Sequence, residues 1–265
     1  MAHSLRQLTR AALSNLSEAL GTGRLSLPCT RISLSPFVRE EQQEEVRHEL
    51  NAMSQKGMTA EHVSLLLSLL AEERAASQQA SDRVQVVWSP PELDRMNARD
   101  TAVVVQGMFR EANEDLLIVT YALDQGNNAL SLFGELAERM DATPSLRVRL
   151  VTNIQRKHGD EAPTSSITAE YTRAFQERTW PGTRLPELYY DPRALLVGGN
   201  TRSVLHAKCV VADSQKTFIT SANFTVAAQL RNIELGVLID DKRLASKMVN
   251  QFELLFLEGV LVRLL

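Results

Sequence analysis

Apolar side chains in the first eighty residues recur at helical spacing. Leu5, Leu8, Ala12, Leu16 and Leu20 fall on one face of a 3.6-residue period. Gly21 and Gly23 break that pattern, and Pro28 and Pro36 punctuate a loop. A charged helix is expected over Glu40–Met53, where Glu40, Glu41, Glu44 and Glu45 read as a solvated face. Thr59 can cap the next helix, with His62 three positions on and Leu65–Leu70 behind it.

From Arg83 the pattern changes. Val84–Trp88 predicts a short strand, and Ser89-Pro90-Pro91-Glu92 predicts the start of a long helix reaching about Asn113, since proline is tolerated in a first turn. Leu116–Ala122 is a continuous apolar run, the mark of a strand buried on both faces. Helices are expected over Asn128–Met140 and Thr164–Thr179, and strands over Leu146–Thr152 and Glu187–Tyr190. Asp191–Arg202, with Pro192, Gly198 and Gly199, is loop-like. Val204–Ala212, Thr217–Ser221 and Asn232–Ile239 predict three more strands, and Arg243–Leu257 an amphipathic helix. Strands alternating with helices predict an α/β sandwich with a mixed sheet over 83–265, preceded by a small helical region over 1–82.

Composition adds little to that outline but excludes some partners. Of 265 residues, 44% are hydrophobic and 23% charged, which is ordinary for a globular protein. A net charge of −3 excludes a global basic field while leaving room for a local basic cleft. Arg147, Arg149, Arg156, Lys157, Arg173, Arg193 and Arg202 cluster in the central third, where they could follow a nucleic-acid backbone or form a solvated surface. Cys29 and Cys209 lack metal-like spacing, so a reduced, cytoplasmic protein is the simple expectation. Arg6 and Arg10 precede no long apolar stretch, and Val63–Leu70 is broken by Ser64 and Ser68, so neither a signal peptide nor a membrane span is expected.

The informative stretch is 205–240. Residues two apart on a strand share a face, so His206 and Lys208 point one way and Leu205, Ala207, Cys209 and Val211 the other. Asp213-Ser214-Gln215-Lys216 reads as a turn that folds the next strand back, letting Ser221 and Asn223 face the same site. Glu234 lies among Ile233, Leu235 and Val237, where an ionised carboxylate needs a partner. Phosphodiester cleavage requires a nucleophile, donors for the non-bridging oxygens and an acid for the leaving oxygen. His206 suits the first role if a carboxylate, with Glu234 the candidate, holds its other ring nitrogen. Lys208, Ser221 and Asn223 suit the second. Asp213 reads as structural support at the turn. Tyr121 can line a cleft or pack in a core or interface. His3, His48, His62 and His158 stand alone and read as surface or capping residues.

His206-Ala-Lys208, four residues, Asp213, then Thr220-Ser221-Ala-Asn223 and Glu234 resemble the phospholipase D superfamily pattern of HxKxxxxD followed by SxN and a later Glu. HxKxxxxD alone arises by composition in roughly one chain in 60 of this length, and the added Ser and Asn lower that to about one in 20,000, so coincidence explains it poorly. Thr220 departs from the usual glycine. The resemblance implies a phospholipase D-like fold, a phosphohistidine mechanism and no metal or other cofactor. It also implies two motifs per site. The chain holds one, which resembles the nuclease-like members that pair as homodimers. With VVWSPPE at 86–92, LLIVTYAL at 116–123 and YYDPRAL at 189–195, nearly the whole chain is similar to the phospholipase D-like family of the bacterial DISARM anti-phage system. That likeness implies nucleic acid as substrate and a defence-system helicase as partner. A phospholipid-cleaving enzyme and a catalytically silent interaction module are the alternatives.

Overall fold

The computed structural model describes residues 4–89, 99–196 and 205–265. The chain divides into two units, one ending at Asp82 and one beginning at Arg83. In the first, Thr9 sets where the first long helix starts. Its hydroxyl accepts from the Ala12 amide at 3.2 Å, satisfying a donor that a helix start leaves unpaired, and α1 spans Arg10–Gly21. Leu5 and Leu8, expected within that helix, precede it, and Leu5–Gln7 is a 3-10 turn. The single-turn α2 (Arg31–Leu34) follows. Glu40–Gln42 is a second 3-10 turn that leads into α3 (Gln43–Gln55). At the head of α4 (Ala60–Asp82), Thr59 and His62 cap each other, the His62 amide donating to the Thr59 hydroxyl and the Thr59 amide to His62 Nδ1. Ser17 and Ser64 each donate to the other's carbonyl at 2.8 and 2.7 Å, drawing α1 against α4. Leu13, Leu16 and Leu20 then bury with Val46, Leu50, Val63 and Leu67. At roughly 1.5–3 kcal/mol per buried aliphatic side chain, this unit has a core of its own.

The second unit is a mixed sheet. Its strands are β1 (Val84–Ser89), β2 (Arg99–Asp100), β3 (Asp115–Thr120), β4 (Arg147–Thr152), β5 (Glu187–Tyr190), β6 (Cys209–Ala212), β7 (Lys216–Thr220), β8 (Glu234–Asp240) and β9 (Val262–Arg263). They lie in the order β2-β1-β8-β7-β6-β3-β4-β5-β9. β3, β4 and β5 run parallel, as do β1 and β2, and the other neighbours are antiparallel. Alternation along β3 sends Leu116 and Ile118 into one core and Leu117 and Val119 into another. The first core is closed by Val104, Val105 and Phe109 of α5 (Thr101–Glu111), Phe133 and Leu136 of α6 (Asn127–Ala142) and Phe175 of α7 (Thr164–Arg178). The second is closed by Ala245 and Val249 of α9 (Lys242–Leu257). Between them the chain forms the short α8 (Val226–Leu230).

Two expected boundaries move, and two short elements fall outside the expected pattern. The long helix from Ser89 fails at its start: Ser89 ends β1, and 90–98 lie outside the described residues. Arg99–Asp100 pairs in parallel with β1, and the Asp100 carboxylate accepts from the Val103 amide at 3.1 Å to begin α5 there. The strand expected over Val204–Ala212 is β6 from Cys209, whose pairing with Val119 is the last between β3 and β6, and Val204 itself lies outside the described residues. Residues 205–207 run on before the strand, while the Lys208 carbonyl still accepts from the Thr220 amide of β7 at 3.2 Å. Finally, α8 and β9 are too short for a hydrophobic period to register.

Candidate active site

One edge of the sheet gathers the chemistry. β6 runs antiparallel to β3, so the residues before Cys209 meet those after Thr120. β7 ends and β8 begins at the same edge, since Thr220 pairs with Gly236. His206, Lys208, Ser221, Asn223, Glu234 and Tyr121 thus come from four segments that all leave or enter the sheet on one side.

His206 is exposed and Lys208 buried. Lys208 Nζ lies 3.3 Å from both ring nitrogens of His206 and donates to the His206 carbonyl at 3.0 Å. The Tyr121 ring packs against the imidazole at a centroid distance of 5.2 Å, with Lys208 Nζ 5.8 Å from its centre. Burial holds the Lys208 ammonium below the ordinary lysine pKa, with the Glu234 carboxylate partly opposing that shift. The Glu234 carboxylate accepts from the Ser221 hydroxyl and, at 3.3 Å, from Asn232 Nδ2. Ser221 Oγ also accepts from the Leu235 amide at 3.1 Å. The carboxylate expected to orient His206 is therefore engaged with Ser221 and Asn232, while the imidazole meets Lys208 and Tyr121. Cys209, inside the motif, is no rival nucleophile: burial pushes its thiol up to about 12.

Residues 105–256 match the profile of the family described as "Cardiolipin synthase, PLD-like domain". That is more than half of the chain. The chain belongs to the phospholipase D-like family. It is 26% identical over 192 residues to the DISARM protein DrmC of Bacillus paralicheniformis, a match covering 72% of this chain and 70% of that one. Among solved structures it is similar to Nuc of Salmonella typhimurium, a phospholipase D family member, at 20% identity with a TM-score of 0.41. That superposition covers 64% of this chain and 91% of Nuc. NucT of Helicobacter pylori superposes at 16% identity with a TM-score of 0.43, over 64% of this chain and 92% of that one. Membership makes this a domain of the phosphodiesterase type. Among the described residues no helix is long and apolar enough to cross a membrane.

Within this phospholipase D-like domain the motif aspartate stands apart. Asp213 follows β6 at the end opposite to Lys208, about 16 Å away at the ~3.3 Å rise of a strand. It adopts φ 51°, and its carboxylate accepts from the amides of Asn113 (2.9 Å), Glu114 (2.9 Å) and Asp115 (3.0 Å). Thr220, where the family usually has glycine, turns its hydroxyl onto the Ala222 amide at 3.0 Å and so shapes the Ser221–Asn223 turn. Across the ladder from Thr220, a Cβ on Gly236 would stand 2.6 Å from the Phe218 ring.

Pattern reading missed the anchors of the site. Phe224 is fully buried against Phe109 and Phe133, with centroids 6.3 Å from each, and its amide donates to the Thr120 hydroxyl at 3.2 Å. It pins the segment carrying Ser221 and Asn223 to the end of β3. One apolar residue after an SxN motif gives no periodic signal.

The basic cluster is largely structural. Arg149, 1% exposed, pairs with Asp115 and Glu253. Arg147 pairs with Glu187 and Glu253, Arg193 with Asp191, and buried Arg156 donates to the Leu195, Asp160 and Ala162 carbonyls. Lys157 and Arg173 are exposed, and Arg202 lies outside the described residues. Four of the seven charges that could have tracked a phosphate backbone hold the domain together instead.

Proposed function

We propose that this chain is a metal-independent nuclease that works through a phosphohistidine, at a site completed by a second copy of the chain. The observation that carries this reading is the Lys208 ammonium lying 3.3 Å from both nitrogens of an exposed His206, on the sheet edge that also holds Ser221, Asn223 and Glu234. His206 attacks phosphorus, forming the P–N bond as the P–O bond to the leaving group breaks. The second copy's His206 protonates that oxygen. Water then displaces the histidine, giving its proton back to the second imidazole. Lys208, Ser221 and Asn223 bind the non-bridging oxygens. As Ser221 turns to the phosphate, it releases Glu234 to balance the charge on the imidazolium.

The homodimer is supported by an uncovered apolar face. Val84, Val86, Ile219 and Leu235 are 50%, 52%, 43% and 51% exposed. The register of β1, β8 and β7 puts them on one side of the sheet, on the face that α9 covers only further along. Leu235 follows Glu234 directly, so a partner seated there would reach the site. The likeness to DrmC supports work in DISARM defence, with a helicase partner and invading DNA as target.

The test is cleavage of single-stranded DNA, duplex DNA, RNA and phospholipid vesicles side by side in EDTA, with the oligomeric state measured in parallel. A dimer should cleave nucleic acid, and His206→Ala should lose cleavage by at least about 10³-fold. Metal-dependent cleavage, or an active His206→Ala protein, would sink the mechanism. Turnover of phospholipid alone would move the substrate to lipid.

A further inference from the structure

A cavity of about 450 Å³ opens beside the nucleophile. Tyr121 is shared: its ring packs on His206 and also lines this cavity, together with Tyr171, Ile154 and Ile167. Asn153, which follows β4, lines it too. Asn153 is 7% exposed, and neither its Oδ1 nor its Nδ2 has a hydrogen-bond partner among the described residues. A buried amide with both ends unsatisfied is costly and uncommon in a folded protein, and a ligand that supplies the missing bonds is a sufficient reason to retain one. The neighbouring side chains are fixed. The Tyr171 hydroxyl lies 3.2 Å from that of Thr152, and Gln155 Nε2 donates to the Tyr121 hydroxyl.

The lining selects among ligands. Asp160 and Glu170 put carboxylates on the rim, with Lys157 as a cation. A second phosphate would meet two like charges there. A neutral, flat group with adjacent donors and acceptors would meet two aromatic rings and a carboxamide that offers one of each. We propose that this cavity receives one unstacked base of a single-stranded nucleic acid, next to the scissile phosphate, with Asn153 hydrogen-bonding its edge and Tyr121 holding its face. The inference rests on the nuclease reading and adds a substrate form to it. The base must be splayed out of any stack, as in other proteins that read single strands with aromatic side chains. Duplex would have to open locally before it could be cut.

The experiment uses the full chain carrying His206→Ala, so that binding is measured without turnover. Labelled homopolymers of about 12 nucleotides in dA, dC and dT, and an abasic deoxyribose-phosphate strand of the same length, are titrated by fluorescence polarisation. Base-bearing strands should bind about 10-fold tighter than the abasic strand, within the range for stacking one base on an aromatic ring. Adding Asn153→Leu, which keeps the volume and removes both polar atoms, should bring dA, dC and dT to within about twofold of one another. Its melting temperature should hold or rise, because the amide has no partner among the described residues to lose. Adding Asn153→Asp, which only accepts, should weaken dT relative to dC by about 5- to 10-fold, since thymine presents one donor between two acceptors and cytosine an amino group. Equal binding of abasic and base-bearing strands overturns the inference and leaves the nuclease reading standing, as does a dT-to-dC ratio unmoved by both variants. Failure to bind any strand, with phospholipid bound instead, overturns both.

Discussion

Asp213 belongs to the motif by sequence and to the scaffold by geometry, and its replacement separates the two. Its carboxylate accepts three amides at the entry to β3: Asn113 and Glu114, which are exposed, and Asp115, which is half-buried. A hydrogen bond to a charged group contributes about 1.5–3 kcal/mol when water cannot replace it. Full weight for Asp115 and roughly 0.5 kcal/mol for each exposed amide gives about 2.5–4 kcal/mol. Asp213 also sits at φ 51°, where alanine costs about another 1 kcal/mol and glycine costs nothing. Asp213→Asn keeps one acceptor and a residue that tolerates this backbone. The expected order of destabilisation is therefore Asn, then Gly, then Ala. Asp213→Ala should lower the melting temperature by about 7–20 °C at ~2–4 °C per kcal/mol for a domain of this size. Cleavage per folded molecule, measured well below the transition, should stay within about threefold of wild type, because the group lies some 16 Å along the strand from Lys208. Thermal unfolding by circular dichroism and EDTA-resistant cleavage at low temperature read the two effects separately. An Asp213→Ala protein with an unchanged melting temperature and activity reduced by more than about 100-fold would falsify this assignment, and glycine proving worse than alanine would refute the backbone part of it.

Three other outcomes follow from the same structure. Val84→Glu with Val86→Glu puts charge on side chains that are already half-exposed, so the monomer should keep its fold; sedimentation should report a monomer with at least about 100-fold weaker cleavage, and an active monomer would refute the shared site. Lys208→Met removes a buried ammonium whose pKa burial has already lowered; it should abolish cleavage yet raise the melting temperature by about 2–4 °C, and a fall of that size would show that the lysine stabilises the edge. Glu187 is held below the ordinary carboxylate range chiefly by its bond to Arg147. A depressed carboxylate stabilises the fold above its unfolded pKa and loses that contribution as pH falls through its folded one. Urea midpoints should therefore fall below about pH 4.5, the ordinary glutamate value, more steeply for wild type than for Arg147→Met, and equal slopes in the two proteins would remove the pair from the explanation.

Much of the fold was legible because its strands are buried on both faces. β3 reads as an unbroken apolar run since Leu116 and Ile118 serve one core while Leu117 and Val119 serve the other, and Glu187–Tyr190 is bounded by polar turns on either side. Local pattern failed where a partner decides the outcome. His206 and Lys208 look like strand residues, and only the pairing of β3 with β6, which ends at Val119 and Cys209, determines that they lie before the strand. Arg99–Asp100 lies inside a helix-like run, yet β1 recruits it as an edge strand. Arg149 alternates like any surface arginine of an open sheet, and nothing local reveals that α9 will cover it with Glu253.

The candidate site was legible as a set of residue types and not as a set of contacts, because contacts between segments are fixed by how each strand ends. Ser221 and Glu234 are thirteen residues apart in sequence and share a hydrogen bond because β7 and β8 are antiparallel neighbours that turn at the same edge. Tyr121 reaches His206 because β3 stops where β6 begins. Phe224 holds the loop between them from below. The arrangement sets His206 and Lys208 just before β6, Ser221 and Asn223 on the turn between Thr220 of β7 and the buried Phe224, and Glu234 at the first position of β8. Ser221 can then exchange Glu234 for a phosphate oxygen, and Lys208 can move off the imidazole, without disturbing a ladder hydrogen bond. Placing the exchange at the sheet edge lets a rigid domain accommodate a substrate whose charge must be handed from one set of partners to another.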